Sequence, residues 1–122
     1  MQSIQTDYEN RLDALFKDFH AHPELSLAEF STAKKIAKAL RGHGFQVTEN
    51  VGGTGVVALL KNGSGPLVMM RADMDGLPLK EKTNLSYASR DMQLDPVTGN
   101  TFPVMHACGH DVHITALIGP AK

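Results

Sequence analysis

A chain of 122 residues with a 42% hydrophobic share and no low-complexity run is sized for one modest domain or part of one, which excludes intrinsic disorder. Lys and Arg number 12 against 13 Asp and Glu, so no long-range field favours nucleic acid or an anionic membrane surface. The opening Met1 to Asp7 lacks a basic head followed by an apolar stretch, and no run approaches the ~20 apolar residues of a membrane span, which makes a cytoplasmic location the expectation.

Leu12, Leu15, Phe16 and Phe19 recur at helical spacing and predict a first helix over 8–19 with one apolar stripe. It should end near His20-Ala21-His22-Pro23, because a residue preceding proline is pushed away from helical angles. The donors of His20-Ala21-His22-Pro23-Glu24 are accounted for by helix termination and by a glutamate near the next helix start, so no ligand role is assigned to them. Ser26 and Glu29 have the capping-box spacing, and Phe30, Ala33, Ile36, Ala37 and Leu40 carry a second helix to Gly42 and Gly44.

Beyond Gly44 the period changes. Phe45 to Thr48 alternates, Gly52-Gly53 breaks the run, and Gly55 to Leu60 is short and β-rich, which predicts two strands, over 45–47 and 56–60, joined by a turn. Gly52-Gly53-Thr54-Gly55 is that turn and not a phosphate loop, since no helix start or Lys-Ser/Thr pair follows. Pro66-Leu67-Val68-Met69-Met70 predicts a third strand over 67–70, apolar on both faces like one covered by helices on each side. Residues 76–103 read as a long irregular loop, acceptable in a compact domain only where it serves function. Asp111 to Leu117 returns to helical character. Helix, helix, strands, loop, helix is the order of an α/β layered domain, and only its beginning, helices packed on a mixed sheet, is expected here.

Two clusters carry chemistry. Arg71-Ala72-Asp73-Met74-Asp75-Gly76-Leu77-Pro78 sets two carboxylates two residues apart at the carboxyl end of the third strand, where open α/β sheets put their ligands. While the pleat lasts, Asp73 and Asp75 point the same way and can bind a cation or orient a metal-bound histidine. The alternative is a solvated strand end with Arg71 as ion-pair partner.

His106-Ala107-Cys108-Gly109-His110-Asp111-Val112-His113 is the denser cluster. Thiolate and imidazole are preferred donors for zinc and related divalent ions, and glycine between Cys108 and His110 lets the backbone turn both toward one centre. Asp111 can cap the following helix or accept the second ring N–H of a ligating histidine, and His110 and His113 would share a helical face if that helix began early enough. Cys108 is the only cysteine, so no internal disulfide forms. The alternatives are an inert buried thiol beside capping or surface histidines, and a reactive thiol activated by neighbouring His⁺ and a helix start.

His22-Pro23-Glu24-Leu25-Ser26, Arg71 through Pro78, Tyr87-Ala88-Ser89 and Met105-His106-Ala107-Cys108-Gly109-His110-Asp111 together resemble the M20 family of metal-dependent amidohydrolases. The closest branch holds hippurate hydrolases, N-acyl-amino-acid hydrolases and plant auxin-conjugate hydrolases. The resemblance runs almost end to end. Gly76 stands where alanine is more usual, and Val112, Ile114 and Pro120 also depart from the common pattern. It implies that residues 1–122 are the amino-terminal portion of a zinc-peptidase-like catalytic domain, without its remainder or the dimerisation (lid) domain. It implies a site for two divalent metals (Mn, Zn or similar) in which Cys108 and His110 are ligands and Asp73, Asp75, His106, Asp111 and His113 hold supporting places. The implied reaction is hydrolysis of the amide bond of a small N-acyl amino acid, in a full-length protein for which a homo-oligomer is allowed. The glutamate base falls outside these residues, so the 122-residue chain is expected to be inactive, a metal-binding or association fragment being the alternative.

Overall fold

The structure, a computed structural model, describes residue 6 and residues 11–121. Helix α1 spans Asp13–Ala21 and buries Phe19 and His20; the part of the predicted helix over 8–10 lies outside the described residues. It stops where expected, with the His22 N–H donating to the Phe19 carbonyl at 3.2 Å just before Pro23.

Helix α2 spans Phe30–Gly42 and turns Thr32, Ala33, Ile36, Ala37 and Leu40 inward. The capping box does not form. Ser26 is exposed, and the Glu29 carboxylate instead accepts the Thr54 hydroxyl at 2.6 Å. Glu24 does the capping: its two carboxylate oxygens accept the N–H groups of Ser31 and Thr32 at 3.0 and 2.7 Å. A full negative charge at a helix N-terminus meets the dipole as well as the unpaired N–H groups, which a serine hydroxyl cannot do.

Strands β1, Gln46–Val51, and β2, Gly55–Leu59, pair antiparallel with Gln46 opposite Leu59. Gly52 and Gly53 make the turn at φ of 65° and 114°, a conformation open to glycine at little cost. The inner side of this hairpin, Val47, Val56 and Ala58, packs on a core of Phe19, Ile36, Leu40, Ile114 and Ile118. Each fully buried side chain of that core contributes roughly 1.5–3 kcal/mol by leaving water.

The third strand is absent. Residues 66–75 carry no strand, and Leu67, Val68 and Met69 are 83%, 80% and 86% exposed. A strand apolar on both faces gains from burial only when neighbouring strands and helices cover it, and β1 and β2 are paired to each other. The mixed sheet is likewise replaced by two antiparallel pairs, the parallel element being a single bridge between Leu25 and Gly76. The α/β class stands.

The loop over 76–103 is less irregular than its sequence. It contains a hairpin, β3 Met92–Leu94 against β4 Thr101–Pro103, with Gln93 opposite Phe102. Asp95 organises its turn by accepting the Val97 N–H at 2.9 Å and the Thr98 hydroxyl at 2.6 Å. Three-residue strands are too short for alternation to be read.

Helix α3 spans His110–Ile118. Segments around Leu25, Gly76 and Met105 lie side by side through bridges Leu25–Gly76 and Leu77–Met105. The approach is close: a Cβ on Gly76 would come 2.9 Å from both Pro23 Cβ and Val104 Cγ1, so glycine suits this crossing. This seam carries the Asp75 cluster to the start of α3. No helix among the described residues is long and apolar enough to cross a membrane.

Candidate metal centre

His110 and Asp75 meet across the seam. His110 Nδ1 lies 2.9 Å from the Asp75 carbonyl oxygen and 3.0 Å from its Oδ1. Both oxygens accept, so Nδ1 carries a proton, which leaves Nε2 as the ring nitrogen that could face a metal. The His113 ring stands 5.8 Å from that of His110, one turn along the same helix face.

Asp73 and Asp75 do not work as a pair. Asp75 turns to His110, whereas Asp73 accepts a hydrogen bond from the Arg71 guanidinium, the ion pair the sequence offered as its alternative. Cys108 is exposed, which removes the buried inert thiol from consideration. Gly109 separates it from His110 in the left-handed conformation, φ 79°.

Asp111 is buried, and its side-chain partner across the fold is one that neither expectation named. It makes no hydrogen bond to His106, His110 or His113 among the described residues, and α3 starts at Gly109 without a side-chain cap. Its Oδ2 lies 2.7 Å from Nδ1 of His20, and its Oδ1 accepts the Val112 N–H at 2.9 Å. His20 Nε2 in turn lies 3.0 Å from Glu81 Oε1. Burial, the largest single effect, pushes the His20 pKa down, but hydrogen bonds to Asp111 and Glu81 and their charges outweigh it, and the net direction is up from 6.5. For Glu81 burial pushes upward first. Bonds from the Thr83 hydroxyl, His20 and the Ser89 N–H reverse this, and its carboxyl sits below 4.5.

Sequence reasoning passed over His20 and Glu81. The available signal was a titratable residue continuing the apolar stripe of Phe16 and Phe19, since a buried imidazole requires partners. Tyr87 and Ser89 close the surroundings: the Tyr87 ring lies edge-on to His20 at 5.4 Å, and the Ser89 N–H donates to Glu81 at 2.6 Å.

His106 is 5% exposed, and neither ring nitrogen has a hydrogen-bond partner among the described residues. Burial is the main influence on it and lowers its pKa; Asp111 opposes this and His20 reinforces it, leaving the ring neutral at pH 7.

Among the described residues no group of three or more His, Cys, Asp or Glu side chains is arranged to hold a metal ion. In kind, an accessible thiol and an imidazole two residues along suit a divalent ion, and in number they fall short of the four donors of a closed site.

No family model matches the chain. It is 43% identical over 117 residues to a hippurate hydrolase of Campylobacter jejuni, a match covering 95% of this chain and 28% of that protein. It is 41% identical over 114 residues to an N-acetyl-L-cysteine deacetylase of Bacillus subtilis, covering 93% of this chain and 25% of that one. Among solved structures it superposes with a TM-score of 0.79 on a dinuclear metal-binding peptidase of the M20 family from Bacillus subtilis, at 37% identity, covering 95% of this chain and 30% of the other. The chain thus spans less than a third of the length of each of these relatives.

Proposed function

We propose, for a chain that belongs to the M20 family and matches the amino-terminal portion of its fold, that it carries part of the metal-binding face of an amidohydrolase acting on N-acyl amino acids. The observation that carries this reading is the His110 ring, held at Nδ1 by Asp75 and set two residues along the chain from the accessible thiol of Cys108. The substrate class is suggested by the two relatives, each named for an acylated amino acid.

Cys108 and His110 would hold the metal, Mn, Zn or a similar divalent ion. Bound there, such an ion supplies Lewis acidity toward an amide carbonyl and makes water a better nucleophile at neutral pH. Asp75 fixes the His110 tautomer. The carboxylates around the site are all engaged: Asp73 with Arg71, Asp75 with His110, Glu81 and Asp111 with His20. None of them is placed to move the proton from water to the leaving amine, so a base must come from other residues.

Residues 1–122 alone are therefore expected to bind manganese or zinc weakly, more tightly as rising pH deprotonates thiol and imidazole, and to leave an N-acyl amino acid intact. Cys108→Ser combined with His110→Ala should abolish binding in a metal titration. Turnover above a no-protein control that survives chelation, or persists in the double variant, overturns the reading.

A second reading, a chain that acts by associating with another polypeptide, is favoured by the exposed run Leu67 to Met70. Sedimentation over a range of concentrations tests it, a strictly monomeric chain that binds no added protein ruling it out.

A further inference from the structure

His20 is among the most firmly anchored polar side chains near the site, and metal binding as described makes no use of it. Its ring nitrogens lie 2.7 Å from Asp111 Oδ2 and 3.0 Å from Glu81 Oε1, and the Glu81 side chain is wholly enclosed. Carboxylates only accept, so both nitrogens donate and neither is left to hold an ion. What His20 can do is hold other groups in place.

Asp111 is where that hold reaches the site. Its Oδ2 is taken by His20, its Oδ1 by the Val112 N–H at 2.9 Å, and its backbone carbonyl by the Thr115 hydroxyl at 2.7 Å. His110 is the residue immediately before it, and Gly109 on the far side has no side chain to steady the turn. The His110 ring is thus fixed from two directions, by Asp75 at Nδ1 and by Asp111 at the backbone behind it. Resting on the reading of Cys108 and His110 as metal donors, we propose that His20 is a positioning residue that, through Asp111, fixes the first turn of α3 and so the direction in which His110 presents Nε2. Without the imidazole, two buried carboxylates lose the positive charge between them, and the turn relaxes until they reach water.

The test uses the 122-residue chain with 15N-labelled histidine, reading the His110 tautomer from ring 15N–1H correlations and metal affinity from the visible absorption of added cobalt(II). The wild-type chain should show one His110 species protonated at Nδ1. His20→Gln, which offers one donor nitrogen and no positive charge in place of two ring nitrogens, should give His110 mixed or exchange-broadened ring signals and weaken cobalt binding about tenfold. His22→Gln, at the exposed C-cap position two residues further on, should change neither. Should His20→Gln fail to fold, Glu81→Gln removes one of the two charges while keeping an acceptor oxygen, and the same changes are expected at smaller size. A folded His20→Gln or Glu81→Gln chain that keeps the wild-type His110 tautomer and cobalt affinity overturns the proposal. If the wild-type chain takes up no cobalt while the His110 ring still responds to His20→Gln, positioning stands and the metal reading falls.

Discussion

A histidine buried between two carboxylates makes the stability of this protein depend on pH from both sides. The His20 pKa is raised above 6.5, so its contribution is fully present below 6.5 and is lost as pH rises through the raised folded value. The Glu81 pKa is lowered below 4.5, so its contribution is present above 4.5 and is lost as pH falls through the lowered value. The pair therefore stabilises most between 4.5 and 6.5. Thermal melts across pH 4 to 9 should show that maximum, and His20→Gln should flatten the decline on its alkaline side; an identical alkaline limb in the variant would remove His20 as its cause. These partners were not legible in the sequence because they stand 91 and 61 positions from His20. Cys108 and His110 could be singled out as candidate donors, being two residues apart and of characteristic type. The contact of His110 with Asp75 was expected only in kind, as a carboxylate at a strand end orienting a histidine, and it forms although that strand does not.

Among the elements, α2 shows how a local motif yields to a nearby charge. Ser26 and Glu29 have the right spacing, but Leu27 adopts φ 65° and the chain folds back so that Glu24 reaches the helix start instead. Glu24→Ala should cost about 1 kcal/mol in a urea melt, as loss of a cap typically does, while Ser26→Ala stays within about 0.5 kcal/mol. Equal losses from the two would restore the capping box. Helices α1 and α2 could be read because their period is local, and β1 and β2 because glycines mark the turn between them. The segment over 67–70 could not, since its apolar pattern describes burial under partners that the chain described here does not place on it. The β3–β4 hairpin, held largely by the Asp95 turn, has too few residues to leave a pattern.

At the scale of the molecule the two early helices, the first hairpin and α3 share one core, centred on Phe19, Ile114 and Ile118. Ile118 is fully buried, so Ile118→Ala should lower unfolding free energy by about 2–5 kcal/mol, whereas Val112→Ala on the exposed side of the same helix should change it by no more than about 0.5 kcal/mol. A chemical denaturation series measures both, and comparable losses would show that α3 does not form this core. The seam that brings Leu25, Gly76 and Met105 together has a consequence for the order in which the protein can form. Its local pieces, α1, α2 and the first hairpin, can appear early, but their polar partners arrive from far along the chain, and closing such distances is slow. During synthesis a chain still held by the ribosome has His20 buried in no finished site until Asp111 has emerged. The face proposed to take part in metal binding is thus among the last features of the fold to exist.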